Sequence, residues 1–274
     1  MRDLGYLEGK NIGFVYRTTE GNSERLPGIA AELVRLKVDI IFADGTGAAL
    51  GAKKATSTIP IVMTSSTDPV GTGLVTSIGR PGGNVTGLAS LSEELGGKML
   101  ELLKEIMPKI NRVAILRPDS PADRIFEKNT QAVAQALQIY LIDLIVPGAD
   151  EFEGAFQAVR KERANALLVR LPPRTPAAQR KQIVQLATKS RLPAIYNATN
   201  WIDSGGLVSY GSDPNIRYLR VATYVDKILK GAKPTDLPLE QPTKFELVIN
   251  LKAAKQIGLT IPPNVLARAD RVFK

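Results

Sequence analysis

Short apolar runs alternate along the chain with longer segments in which apolar residues recur every three or four positions. The runs are typical of strands, and the periodic segments are typical of amphipathic helices. The predicted strands span residues 12–16, 38–43, 59–64, 84–87, 113–116, 140–146, 166–169, 193–196 and 207–210. This alternation predicts the α/β fold class, with mostly parallel sheets covered by helices on both faces.

The alternation begins anew after a long predicted helix that ends before Pro108. We therefore predict two doubly wound lobes, an N-terminal lobe of residues 1–110 with about 215–274 and a C-terminal lobe of residues 111–214. Beyond Gly231, five prolines break the chain into short pieces, which include a strand near 245–249. This last region is too short for a third domain, and we expect it to pack back onto the others.

Composition excludes several kinds of chemistry. The 274 residues contain no cysteine and no histidine, which rules out disulfides, Cys/His zinc sites, thiol nucleophiles and imidazole-based catalytic triads. The 36 Lys and Arg residues exceed the 27 Asp and Glu residues and give a formal net charge of +9. Because these basic residues are scattered and form no run of five or more, we expect no nucleic-acid partner. No apolar stretch reaches the roughly 18 residues of a membrane-spanning helix.

The loops that follow the predicted strands carry the candidate chemistry, because ligands of parallel α/β sheets bind beyond the carboxyl ends of the strands. Hydroxyl, amide and acidic side chains are concentrated in these loops, and tyrosines and the only tryptophan add stacking surface. The loops span residues 44–48, 64–69, 117–120, 196–201 and 209–213. This composition suits the binding of a carboxylate or a small polar molecule.

Each loop also has a plain structural interpretation. The turn at residues 45–47 lacks the lysine and the spacing of a phosphate-binding P-loop, so it is either an ordinary helix entry or a ligand-contacting turn. Ser65, Ser66 and Asp68 either contact a ligand or form an Asx-type turn. In its polar surroundings, Trp201 is expected to face a cleft or a partner rather than the core.

The sequence contains no specific catalytic constellation. Asp39, Asp44 and Asp68 include no pair at the i, i+4 spacing that would place two carboxylates together on a helix. We therefore expect a binding protein rather than an enzyme, with no cofactor and no metal.

Several longer motifs resemble one protein family. These are residues 4–12 (LGYLEGKNI), 68–70 (DPV), 80–87 (RPGGNVTG), 205–211 (GGLVSYG), 224–231 (YVDKILKG) and 266–270 (LARAD). Together they closely resemble the substrate-binding proteins of bacterial ABC transporters, in the group with a type I periplasmic-binding fold that includes aromatic amino-acid binders. The resemblance covers nearly the whole chain.

The resemblance implies two lobes joined by a hinge, which close over a small amino acid-like or aromatic carboxylate and deliver it to a membrane permease. It also implies a periplasmic or other extracytoplasmic location, and we expect a monomer. The resemblance makes Asp68, Asp119 and Asp213 of this chain candidate partners for a ligand ammonium group. The implied ligand-binding residues are Thr46, Ala48, Ser65, Ser66, Asp68, Asp119, Ser120, Tyr196, Trp201 and Tyr210.

The chain departs from the family pattern at two points. Family members begin with an export signal and then a first strand and helix ahead of the Leu-Gly-Tyr motif, whereas here Met1 precedes Leu4 by three residues. We therefore expect the first strand of the N-terminal lobe to be missing. At Arg117-Pro118 relatives often carry Asn-Pro, and the guanidinium either favours an anionic ligand or points to water.

Three alternative functions remain open from the sequence. A ligand-sensing domain of a transcriptional regulator shares the expected architecture but requires a preceding helix-turn-helix. An α/β enzyme that uses carboxylates alone is a second alternative, and a truncated copy that binds nothing is a third.

Overall fold

The computed structural model describes residues 1–19, 22–66, 68–90, 92–172, 175–241 and 245–274. The strands in these ranges are β1 (Ile41–Ala43), β2 (Ile61–Met63), β3 (Val85–Gly87), β4 (Arg112–Arg117), β5 (Tyr140–Ile145), β6 (Ala166–Val169), β7 (Ala194–Tyr196), β8 (Val208–Gly211), β9 (Glu246–Asn250) and β10 (Arg271–Phe273). The helices are α1 (Leu26–Arg35), α2 (Thr46–Ala55), α3 (Ser92–Ile106), α4 (Pro121–Ala136), α5 (Phe152–Lys161), α6 (Ala177–Lys189), α7 (Pro214–Leu229), α8 (Leu251–Ile257) and α9 (Pro263–Leu266). None of the described helices is long and apolar enough to cross a membrane.

Two sheets organise the chain. The first has the order β1-β2-β3 and is parallel throughout. The second has the order β10-β9-β8-β7-β6-β4-β5, and its only antiparallel pair among the described strands is β8 with β9. The predicted α/β class with mostly parallel sheets is therefore confirmed.

Strand burial in the second sheet explains its apolar sequence. Along β6, Leu168 packs into a core cluster with α3 and α4, which we call the α3–α4 face. Its neighbours Leu167 and Val169 pack on the opposite side with α5 and α6, which we call the α5–α6 face. Because both faces are covered, β6 is apolar at every position instead of alternating with polar residues.

The chain separates into a first unit of residues 1–91 and 215–243 and a second unit of residues 92–214 and 244–274. This division differs from the predicted lobes at two places. Residues 92–106 form α3, which packs closely on α4 of the second unit because Gly96 and Gly97 lie against Thr130 and Val133. Residues 246–250 form β9 beside β8, so residues 244–274 belong to the second unit rather than the first.

The predicted strand at residues 12–16 is wrong. Within the described chain this segment makes only an isolated bridge between Glu8 and Ile12, and Phe14, Val15 and Tyr16 are exposed. The segment has strand-like residues but no neighbouring strand to complete its hydrogen-bonded ladder, and a strand requires both.

Candidate functional site

Hydroxyl groups link the carboxyl ends of β1 and β2 in the first unit. Thr64 donates its hydroxyl hydrogen to Asp44 Oδ1 at 2.6 Å, and Thr46 donates to Ser66 Oγ at 3.3 Å. The backbone N–H of Ser90, beyond β3, donates to the Ser66 carbonyl oxygen at 2.8 Å. The two loops that the sequence singled out in this unit therefore lie side by side.

The first turn of α2 presents backbone donors at the same edge. Gly45, with a φ of 95°, turns the chain from β1 into the helix, which begins at Thr46. No side chain in the described part of the chain caps this helix, so N–H groups of its first turn are left for a ligand or water. Ala48 contributes a backbone N–H here rather than a polar side chain.

Asp68 forms the Asx-type turn that was one of its two interpretations. Its Oδ1 accepts a hydrogen bond from the Gly71 N–H at 2.7 Å, and its carbonyl oxygen accepts one from Thr72 Oγ1 at 2.5 Å. The second carboxylate oxygen is not used by this turn. Ser65 is half-buried beside it, whereas Thr67 lies outside the described residues.

Arg117, at the end of β4 in the second unit, neither points to water nor remains available for an anionic ligand. Its guanidinium is buried and donates to both carboxylate oxygens of Asp143 on β5, at 2.7 and 2.6 Å. A third bond reaches the Pro118 carbonyl oxygen at 3.1 Å. Both sequence interpretations of Arg117 are therefore replaced by a bidentate ion pair between neighbouring strands.

Asp119 and Ser120, in the loop that follows Arg117, also bond to residues near them in sequence. Asp119 is exposed and accepts bonds from Arg124 at 2.8 and 3.1 Å, and this guanidinium lowers the pKa of the Asp119 carboxyl group. Ser120 caps α4 by accepting from the Asp123 N–H, and it donates to Asp123 Oδ2 at 2.5 Å. Both predicted residues therefore shape the entry to α4.

Tyr196 and Trp201 require a correction. Their rings stack at a centroid distance of 4.8 Å, are almost completely buried and belong to the α5–α6 face of the core. Burial also raises the pKa of the Tyr196 hydroxyl group. Trp201 lies on a short helical turn at Thr199–Ser204 and is part of the core rather than exposed.

Tyr210 lies in a row with Arg170 and Asn197, two residues that were not among the predicted ligand-binding residues. Val169, Tyr196 and Ser209 are register partners on β6, β7 and β8, so the next residues, Arg170, Asn197 and Tyr210, are also neighbours. Adjacent strands lie about 4.8 Å apart. Two of these residues contact rings of the α3–α4 face: Arg170 lies over the Phe126 ring at 5.1 Å, and Tyr210 stacks on Phe245 at 5.9 Å.

Arg170 is partly buried and Asn197 is buried, and both polar side chains are incompletely bonded. The nearest described acidic oxygen to Arg170 is Asp123 Oδ1, 3.6 Å from Nη2, and its Nε has no hydrogen-bond partner within the described residues. Burial lowers the pKa of Arg170, and Asp123 partly opposes that effect. Asn197 donates Nδ2–H to the Leu171 carbonyl oxygen at 3.0 Å, while its Oδ1 finds no donor in the same ranges.

A sequence signal for Arg170 does exist. It is the first residue after the predicted strand 166–169, as Arg117 is the first residue after the predicted strand 113–116. The loop after residues 166–169 contains Leu and Pro rather than small polar residues, so its composition does not point to a ligand site. In the described residues, no three acidic side chains are grouped to hold a metal ion.

The chain was compared with known proteins. A family model described as "ABC transporter substrate binding protein" matches residues 1–273. A tyrosine-binding protein of Clostridioides difficile (strain R20291) is 28% identical over 265 residues, which cover 94% of this chain and 74% of that protein.

Two solved structures are similar over nearly the whole chain. A conserved domain protein of Vibrio cholerae is 33% identical with a TM-score of 0.88, covering 99% of this chain and 90% of that one. A Streptococcus pneumonia ABC domain in complex with L-Trp is 28% identical with a TM-score of 0.84, covering 99% of this chain and 91% of that one. The chain therefore belongs to the family of ABC transporter substrate-binding proteins.

Proposed function

We propose that the protein captures a small amino acid-like or aromatic carboxylate and delivers it to the permease of an ABC importer, without catalysing a reaction. The observation that carries this proposal is the concentration of polar groups at the carboxyl ends of parallel strands in both units. The ligand class is supported by the relatives, of which one is a tyrosine-binding protein and another was solved with L-Trp.

In this proposal the ligand is held by loops of both units. The first unit supplies hydroxyl groups of Thr46, Ser65 and Ser66 and the N–H groups at the start of α2, including that of Ala48. Asp68 accepts the ligand ammonium group through the carboxylate oxygen that its Asx turn leaves unused. The second unit supplies Tyr210, while Asp119 and Ser120 act by fixing the start of α4.

Ligand capture is proposed to occur by a shift between open and closed states. A ligand that contacts both units binds the closed state more tightly, and this differential affinity is what favours closure. Family members are extracytoplasmic. We propose a periplasmic location for this protein, a monomeric state and no nucleic-acid partner.

Isothermal titration calorimetry of the purified protein tests this function. L-Tyrosine, L-tryptophan, benzoate and 4-hydroxybenzoate are the probes, and D-ribose is the control solute. We expect saturable binding of at least one carboxylate with one ligand per chain. Saturable binding of ribose together with no heat from any carboxylate would refute the proposed ligand class.

A further inference from the structure

We propose that Arg170 binds the carboxylate of the ligand and that Asn197 Oδ1 accepts a hydrogen bond from a donor next to that carboxylate. This inference rests on the proposed function and makes its ligand class narrower. It predicts a ligand with a carboxylate and an adjacent ammonium or hydroxyl group, as in an α-amino acid or a hydroxy acid.

Arg170 has unused hydrogen-bond donors. A guanidinium group carries five N–H donors in a planar fork that matches a carboxylate. Here the side chain is 14% exposed, and its ion pair with Asp123 is 3.6 Å long and therefore beyond hydrogen-bond distance. Asp123 accepts a hydrogen bond from Ser120 at its other carboxylate oxygen, Oδ2.

Arg117 shows by contrast what a satisfied arginine looks like at this edge. It lies at the end of β4, beside β6, and both of its bonds to Asp143 are at or below 2.7 Å. Two arginines therefore end adjacent strands, but only Arg117 has a bidentate acidic partner among the described residues. Arg170 has the desolvation of a buried cation without the hydrogen bonds that normally offset it.

Asn197 adds the second half of the site. The Leu171 carbonyl oxygen accepts from its Nδ2, and this contact fixes which amide atom is the oxygen. The remaining Oδ1 is a buried acceptor one strand away from Arg170, and it lacks a donor in the described structure. The Arg170 guanidinium suits a ligand carboxylate. Asn197 Oδ1, on the next strand, suits a hydrogen-bond donor next to that carboxylate.

Paired acid and amide ligands test the inference. L-Tyrosine is compared with L-tyrosinamide, L-tryptophan with L-tryptophanamide, and benzoate with benzamide, by calorimetry on wild type, Arg170→Gln and Arg170→Lys. Arg112→Gln is the matched control, because Arg112 begins β4 at the opposite end of the sheet and bonds Glu162.

We expect Arg170→Gln to weaken binding of the acid by about 10- to 100-fold and to change binding of the amide by less than about twofold. Arg170→Lys should lose less affinity for the acid and none for the amide, because lysine keeps the positive charge but lacks the planar fork of guanidinium N–H donors. Arg112→Gln should match wild type. If Arg170→Gln does not fold, as judged by thermal unfolding, Arg170→Lys decides.

Four results would overturn the inference. If Arg170→Gln weakens binding of the acid and of the amide equally, Arg170 has a structural role. If it changes the binding of neither, Arg170 has no role in binding. A wild type that binds the amides but not the acids contradicts this inference and leaves solute binding intact. A wild type that binds no member of the panel contradicts the proposed ligand class as well.

Discussion

At the scale of single residues, bonding partners decide which polar side chains remain for a ligand. Arg117 and Arg170 occupy equivalent positions after two predicted strands, yet Arg117 is neutralised by Asp143. Asp143 is 26 residues away in sequence, and nothing in the local pattern predicts that pair. Asp119 and Ser120 were similarly predicted from composition, but Arg124 and Asp123 engage them.

Gly206 provides a prediction at this scale. A Cβ atom on Gly206 would lie 2.9 Å from the Trp201 carbonyl oxygen and 2.9 Å from Tyr196 Cε2, so Gly206→Ala forces the Trp201 backbone or the Tyr196 ring to shift. We expect the free energy of unfolding to fall by about 1–3 kcal/mol, as is usual for overpacking. Urea denaturation monitored by the fluorescence of Trp201 measures it.

Gly154→Ala is the matched control for that substitution. Gly154 is exposed in α5, and a Cβ atom there has no neighbour within 4 Å in the described structure. Alanine favours a helix over glycine by up to about 1 kcal/mol, so this variant should be as stable as wild type or slightly more stable. Equal destabilisation by both variants would contradict the packing account.

At the scale of elements, hydrophobic periodicity predicts whether a segment can form a helix or a strand. Pairing and packing with neighbouring elements determine whether it does. The predicted strand 113–116 lies within β4, which is paired on both sides with β5 and β6. The predicted strand 12–16 has comparable apolar content but no ladder in the described chain. Assignment of β9 to the second sheet likewise depends on a pairing with β8 across more than 30 residues, which periodicity does not encode.

The N-terminal segment is tied to α7 by a contact that should depend on pH. Tyr6 donates to Asp226 Oδ1 at 3.0 Å, and Lys230 lies 2.8 Å from the same oxygen. The hydrogen bond from Lys230, together with that from Tyr6, lowers the pKa of the Asp226 carboxyl group. Its contribution to stability is therefore fully present above the unfolded value of about 3.9 and is lost as pH falls through the lowered folded pKa.

A carbon-13 NMR titration of the Asp226 carboxyl group tests this contact. We expect a midpoint below 3.9, and we expect the Tyr6 ring signals to shift with the same midpoint. Asp226→Asn should remove the shift of Tyr6, while Asp39→Asn, which changes an exposed residue, should preserve it. A midpoint for Asp226 at or above the ordinary value would contradict the ion pair.

At the scale of the whole molecule, sequence reasoning reached the α/β class, the two successive sheets and the family, because long motifs and alternating periodicity cover the whole chain. The candidate site was predicted less completely. Loop composition led to Thr46 and Ser66, which do lie together, but it also selected Trp201, whose ring is in the core. Composition cannot distinguish a ring that faces a ligand from one that supports the loop from beneath.

The central claim is that the protein binds a carboxylate ligand at the carboxyl ends of its parallel strands. A crystal structure of the protein saturated with the tightest-binding carboxylate of the calorimetric panel tests it most directly. The account predicts a ligand whose carboxylate lies within hydrogen-bond distance of Arg170. A ligand bound away from Arg170, or away from the carboxyl ends of the strands, would contradict it.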